Sequence, residues 1–157
     1  MKYASVAIVG ALLLASCSSD TTTRDESGEI IEGGEVGVFA VQEGDCINFP
    51  TDQGDGVGSF GAVACTEPHD GEIFELFDIT GFDEFPGEQV LAQESDAGCF
   101  NAFESFIGLD VNESMFVVQR VSPSEDTWND LDDREVICIV VPPDGMPLTM
   151  SLEGVAQ

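Results

Sequence analysis

The segment that decides the fold is Gly98-Cys99-Phe100-Asn101-Ala102-Phe103-Glu104-Ser105-Phe106-Ile107. Counted from Cys99, its large apolar side chains fall at offsets 0, 1, 4, 7 and 8. These offsets trace one face of a helix with about 3.6 residues per turn. Gly108 follows as a C-terminal stop, and the helical pattern extends back to Glu88. We therefore predict one main helix over residues 88–107, with a candidate break at residues 96–98.

Short apolar runs separated by turn signals surround this helix and predict strands. The runs are residues 38–41, 46–49, 60–65, 73–79, 115–121 and 136–141, with an edge strand expected at 146–152. The connection at 66–71 contains Pro and Gly and predicts a hairpin, whereas residues 52–56 predict a loop. Residues 136–141 are apolar on both faces, as in a central strand. The fold class is therefore α+β: a small antiparallel sheet of about five to seven short strands with one main helix, held by two disulfides.

The N-terminus carries an export signal that ends in Leu14-Ala15-Ser16-Cys17. The apolar run before it has about a dozen residues, whereas a membrane-spanning helix needs roughly 20. An ordinary secretory signal is the alternative, but a cysteine directly after Leu-Ala-Ser is better explained by lipidation. We therefore expect residues 1–16 to be a removed lipoprotein signal peptide. A diacylglyceryl (palmitate-type) anchor on Cys17 would then hold the protein at the extracytoplasmic face of the cell membrane.

Composition divides the rest of the chain in two. Residues 17–37 are rich in Ser, Thr, Gly and Glu and predict a lipidated cysteine followed by a flexible tether. About 20 such residues span roughly 25 Å, enough to hold a domain clear of the headgroups. Residues 38–157 then form the extracytoplasmic domain.

The chain is strongly acidic, with 31 Asp and Glu against four Lys and Arg and a net charge of −27. This charge excludes nucleic acid as a partner, because phosphates would be repelled. It also disfavours a protein that lies flat on anionic lipid, because like charges repel each other within a Debye length of about 8 Å. Three explanations of the charge stay open: adaptation to a saline habitat, steering of a basic partner, and weak binding of divalent cations.

Four cysteines remain besides Cys17, an even number that indicates two disulfides in an exported domain. Four cysteines allow three pairings, and we prefer Cys46–Cys65, joining neighbouring strands, with Cys99–Cys138, joining the helix to the central strand. A zinc site of four cysteines is the rival, but its C-x₂-C spacing is missing. A redox pair is equally unsupported, because no C-x-x-C occurs.

His69, the only histidine, lies among the acids of Glu67-Pro68-His69-Asp70-Gly71-Glu72. A metal site or an acid–base pair with Asp70 is conceivable. Neither further ligands at metal-binding spacing nor a nucleophile in a recognisable elbow accompanies it. We therefore interpret His69 as a loop residue bonded to the local backbone or to Asp70.

Trp128 and Arg134 are further motif residues, either at the surface as an aromatic contact or in the core. We favour a core Trp128, with Arg134 paired to the neighbouring Asp132 and Asp133. The acidic clusters at 52–55 and 110–113 do not match a calcium-binding loop. We expect no catalytic residue, no metal and no cofactor.

These residues together resemble a known family. The resemblance rests on Gly44-Asp45-Cys46, on the segment from Val63 to Phe74, on the helix with Cys99, and on Ser122-Pro123-Ser124, Trp128, Asp133-Arg134 and Cys138. This pattern, over residues 43–141, is similar to the septum formation family of actinobacterial envelope proteins. Two details differ from the family pattern. The glycine usually found before Asp133-Arg134 is absent, and the spacing between Trp128 and Asp133-Arg134 is one residue longer than the pattern leads us to expect.

What the resemblance implies is a membrane-tethered extracytoplasmic domain without an activity to carry over. We expect a non-catalytic interaction module associated with septum formation, touching an unknown envelope protein. A binding module for divalent cations or a basic ligand is the alternative. A hydrolase that uses His69 is a third hypothesis.

Overall fold

The computed structural model describes residues 20–51 and 56–156, and these form two antiparallel sheets and two helices. The strands are β1 (Thr23–Arg24), β2 (Ile30–Glu32), β3 (Gly34–Gly37), β4 (Cys46–Asn48), β5 (Ser59–Val63), β6 (Gly71–Asp78), β7 (Val117–Val121) and β8 (Glu135–Val141). The helices are α1 (Glu88–Ile107) and α2 (Glu125–Asp130), with a 3₁₀ turn at Val38–Ala40. The predicted signal peptide, Cys17 and the acidic loop at 52–55 lie outside the described residues.

The main sheet has six strands in the order β3-β5-β4-β6-β8-β7, and every pair is antiparallel. The predicted α+β class is confirmed: the main sheet has six strands, within the predicted five to seven, and there is one main helix. Strand β8 lies inside the sheet and is buried along six consecutive residues, which is why its sequence is apolar on both faces. Strands β1 and β2 form a separate two-stranded sheet.

The predicted hairpin between residues 60–65 and 73–79 is wrong, because β4 lies between these two strands. Cys46 is opposite Val63 on one side and Glu72 on the other. The connection at 66–71 passes the end of β4 instead of closing a tight turn, and the Asp70 N–H donates to the Ile47 carbonyl at 2.9 Å. Local turn signals do not reveal a strand inserted from earlier in the chain.

Two shorter predictions also differ from the structure, and one short helix lies where none is predicted. Residues 38–41 contain the 3₁₀ turn instead of a strand. Residues 146–152 contribute a single bridge between Leu148 and His69, not an edge strand. Helix α2 was not expected; the Ser124 hydroxyl accepts from the Thr127 N–H while Thr127 caps the Ser124 N–H in return. This reciprocal cap supports a helix too short for a periodic apolar pattern.

The flexible tether predicted for residues 17–37 is wrong for the described residues 20–37. Strand β3 is an edge strand of the main sheet, paired with β5 from Gly34 to Gly37. Val36 is fully buried and Ile30 almost so. A polar composition therefore conceals two well-placed apolar side chains, and the fold begins about 18 residues earlier than predicted.

Helix α1 is continuous from Glu88 to Ile107, so the candidate break at residues 96–98 is absent. Its buried face repeats every fourth residue: Leu91, Ser95, Cys99, Phe103 and Ile107. Gly98 serves a close approach, because a Cβ there would lie within 2.7 Å of ring atoms of Phe77. The helix ends at Gly108, whose φ of 86° is left-handed and whose N–H donates to the Glu104 carbonyl.

Two apolar cores occupy the two faces of the sheet. One lies under α1 and includes Phe74, Phe103, Val136 and Val140. The other lies on the opposite face and joins Val36 and Phe60 to Ile137 and Ile139. The preferred disulfides are confirmed: Cys46–Cys65 joins the start of β4 to the turn after β5, and Cys99–Cys138 joins α1 to β8. Within the described part of the chain, no helix combines the length and apolarity needed to span a bilayer.

Candidate functional site

His69 lies entirely inside the protein, in the connection between β5 and β6. Its Nδ1 is 2.8 Å from the Glu67 carbonyl oxygen, which can only accept, so Nδ1 carries the hydrogen. Nε2 is buried without a hydrogen-bond partner among the described residues. The His69 backbone exchanges two hydrogen bonds with Leu148. The local backbone bond expected of His69 is thus present, although its ring is buried, and its backbone also holds the C-terminal segment at Leu148.

Asp70 also bonds to the backbone and not to His69. Its Oδ2 accepts the Phe49 N–H at 2.9 Å, which holds the chain leaving β4. A general acid or base has to reach a substrate, and the fully buried ring of His69 does not. The geometry therefore gives the neighbouring pair separate structural contacts and no shared proton.

Glu72 is a buried carboxylate on β6, only 2% exposed. It accepts hydrogen bonds from the Leu152 N–H at 2.6 Å and from the Ser151 hydroxyl at 2.7 Å. Burial raises the pKa of Glu72, and these two hydrogen bonds oppose that rise. The pattern of residues 66–72 predicts a loop of acids, whereas Glu72 lies on a strand. Nothing in the residues around Glu72 indicates its partners, Ser151 and Leu152, which lie about 80 residues away.

The carboxylate of Glu72 and the sulfurs of Cys46 and Cys65 lie within 4.8 Å of one another. Zinc sites of this composition need thiolates. Here the two sulfurs are bonded to each other, so the group retains one ionisable ligand. The cluster joins β4, β6 and the turn after β5, and it does not form a metal centre in this oxidised state.

Arg24 and Asp45 form a bidentate ion pair that sequence reasoning missed. Nη1 and Nη2 of Arg24 donate to the two carboxylate oxygens at 2.5 and 2.8 Å, and Nη1 also donates to the Gly28 carbonyl. Asp45 is 3% exposed and accepts the Gln42 N–H as well. The hydrogen bond to Asp45 raises the pKa of Arg24. Asp45 belongs to the motif Gly44-Asp45-Cys46, but its partner lies in the segment predicted as a tether.

Trp128 is 2% exposed, on α2, so it belongs to the core and not to the surface. Phe85 packs edge-on against it, with ring centroids 5.9 Å apart. The Arg134 guanidinium lies 3.8 Å from the ring centroid, a cation–π contact. Nη1 of Arg134 donates to the Trp128 and Asp133 carbonyls. Arg134 is therefore bound to the helix that precedes it.

Asp132 has a φ of 56° and stands directly before Asp133-Arg134. Left-handed backbone favours glycine, and Asp is among the few other residues that adopt it readily. The glycine that the resemblance leads us to expect before Asp133-Arg134 is absent, and Asp132 adopts a left-handed backbone conformation there. Asp132 also forms an exposed ion pair with Arg134 at 2.9 Å.

A family model described as "Septum formation" matches residues 39–157. Neither the curated proteins nor the solved structures gave a match. The match begins within the 3₁₀ turn and extends over the main helix, both disulfides and strands β4 to β8.

Proposed function

Because the chain belongs to the septum formation family, we propose that it takes part in septum formation as a non-catalytic interaction module. In this proposal a lipid on Cys17 holds the module at the extracytoplasmic face of the cell membrane, where it contacts another envelope protein. The role in septum formation follows from the family. The anchor, the interaction and the lack of catalysis are the parts that we propose.

The observation that carries the proposal is how the polar residues of the motif are used. Asp45 pairs with Arg24, His69 donates to a carbonyl, and Asp70 accepts from the backbone. Each of these groups holds one segment of the chain against another. Because these side chains are occupied by bonds within the fold, we infer that a partner is recognised by the surface residues around them.

The two disulfides support the proposed compartment. Disulfides persist in oxidising environments outside the cytoplasm. Each one here joins two separate segments of the main fold, so oxidation stabilises the folded state. An export signal that ends at Cys17 would deliver the chain to such an environment.

The proposal is tested in dividing cells with a fluorescent fusion in place of the native copy. We expect enrichment at division sites and recovery in the membrane fraction. A Cys17→Ala variant should lose the membrane fraction. Even distribution around dividing cells, together with normal division after deletion, would contradict the septal role.

A His69→Asn variant tests the absence of catalysis, since the Asn amide keeps a donor close to the position of Nδ1. Normal division is expected if the variant folds, as judged by circular dichroism. A folded His69→Asn protein that localises correctly but blocks division would show that His69 has a chemical role.

A further inference from the structure

An apolar cleft of about 270 Å³ opens where the two edges of the main sheet approach each other. Val38 and Phe39 line it from the turn after edge strand β3, and Val121 lines it from the other edge strand, β7. Val57 and Ile137 complete its apolar wall. The sheet therefore curls until residues from both of its edges line one opening, and well-formed apolar pockets with a few polar groups are common ligand sites.

Acidic side chains continue this cleft on one side. A second hollow of about 350 Å³ shares Phe39, Asp133 and Glu135 with the cleft and extends to Asp78, Leu131 and Asp132. We call the two hollows together the edge groove. Phe39, at their junction, is 64% exposed. One end of the edge groove is thus apolar and the other acidic.

The acidic end contains a pair of like charges that the fold does not neutralise. Asp78 and Glu135 are directly opposite each other on β6 and β8, an arrangement that is destabilising. Burial, followed by repulsion from Asp78 and Asp133, raises the pKa of Glu135. Arg134 is the one base among the described lining residues, and it is already engaged by the Trp128 ring and Asp132. A cation from outside the chain would relieve this repulsion.

We propose that the edge groove binds an extended, basic segment of an envelope protein, with an apolar side chain in the cleft and a Lys or Arg beside Asp78 and Glu135. This inference rests on the proposed function, because it names the chemistry of the interaction partner. Charge complementarity selects the basic group, and the apolar wall selects the neighbouring side chain. A free divalent cation or polyamine would satisfy only the acidic end.

A second copy of this chain is a poor occupant. The net charge of −27 makes two copies repel each other. The three arginines are each committed to an ion pair, with Asp45, Asp96 and Asp132. The chain therefore has no uncommitted arginine to offer to its own groove.

Binding is measured by calorimetry on the disulfide-bonded domain with a short capped peptide of alternating Lys and Leu. One comparison peptide has Glu in place of Lys, and another has Ser in place of Leu. Of the three peptides, we expect only the Lys–Leu peptide to give heat of binding. Its affinity should decrease from low to physiological salt, because the contact is partly electrostatic. In a competition experiment, calcium or spermidine added to the complex should not displace the Lys–Leu peptide completely.

Two groove variants and two matched controls locate the site. Phe39→Ala, and the double change Asp78→Asn with Glu135→Gln, should each weaken peptide binding about tenfold or more, which is about 1.4 kcal/mol. The controls make the same chemical changes on the exposed face of α1: Phe100→Ala, and Glu94→Gln with Glu104→Gln. They should change binding less than about twofold, within the usual small effect of surface substitutions.

Four results would overturn the inference: no binding of the Lys–Leu peptide, equal binding of the Ser peptide, equal weakening by the α1 controls, or a dimer in sedimentation that the groove variants dissociate. Failure of the proposed function is a separate result. If the groove variants still localise to the septum and crosslink to the same partner, only the groove assignment fails. If the unmodified protein does not localise there, the proposed function fails whatever the peptide does.

Discussion

Substituting Gly98 by alanine tests whether this glycine is required by the packing of α1 on the sheet. An alanine Cβ would lie 2.6 and 2.7 Å from two ring carbons of Phe77 and still closer to its Cζ. Real Cβ contacts do not come so near, so the ring of Phe77 has to move. The backbone of Gly98 itself is helical and would accept alanine without strain.

Two opposing effects set the magnitude. Overpacking of this kind costs about 1–3 kcal/mol, whereas alanine in place of glycine inside a helix gains about 0.8–1.0 kcal/mol. Gly98→Ala should therefore lower the free energy of unfolding by about 1 kcal/mol. In a Phe77→Ala background the clash is gone, and the same substitution should raise the free energy of unfolding by about 1 kcal/mol. The coupling between the two positions is then about 2 kcal/mol.

The assay is urea unfolding of the four proteins in this cycle, followed by circular dichroism with the disulfides intact. Ala97→Gly, at the exposed neighbouring position of the same helix, is the control for helix propensity and should cost about 1 kcal/mol in both backgrounds. The reasoning is refuted if Gly98→Ala has the same effect with and without the Phe77 ring, or if it stabilises the unmodified protein.

Three further predictions concern charges and backbone conformation. Arg24→Ala should lower the free energy of unfolding, measured in urea, by about 3 kcal/mol, because it leaves a buried carboxylate unpaired. Arg120→Ala is the control and should lower it by less than about 1 kcal/mol, because the partner of Arg120 is half exposed. Equal losses for the two variants would contradict this prediction. Asp132→Val should lower the free energy of unfolding by about 1–2 kcal/mol, whereas Asp132→Gly should not, because glycine adopts left-handed backbone readily. A valine variant with the same melting temperature as the unmodified protein would disprove the requirement for left-handed backbone. Burial raises the pKa of Glu72 and Glu135, so the folded state binds protons more tightly than the unfolded chain. The melting temperature should therefore rise as the pH falls from neutral toward 4.5, the ordinary glutamate value. Glu135→Gln should flatten this rise, and a melting temperature that instead falls over the same range would contradict the assignment.

Features with a local cause could be predicted from the sequence. The apolar face of α1, its glycine stop and the doubly apolar strand β8 are recorded in adjacent residues, and each is where the pattern places it. The disulfide pairing is a preference among three possibilities, and it agrees with the structure because each bond joins segments that the pattern had placed as neighbours.

Features that depend on distant segments could not be predicted. The insertion of β4 between β5 and β6 is a matter of sheet order, which local periodicity does not contain. The partners of Glu72 and Asp45 lie about 80 and 21 residues away. Gly98 looked like a helix break because glycine has poor helix propensity, and only the position of Phe77 on a neighbouring strand explains it. The edge groove likewise requires knowing that the sheet curls.

The ordered strands near the N-terminus change how close this domain stands to a bilayer. If Cys17 carries the proposed lipid, three residue steps separate it from Asp20, where the described structure begins. At most about 3.6 Å per residue gives a reach of roughly 10 Å, comparable to the Debye length of about 8 Å in physiological salt. A domain of this acidity would then lie within the range of repulsion from anionic headgroups. The charge of the lipids beneath it would then affect how closely the domain approaches the membrane, and so which neighbours it can reach.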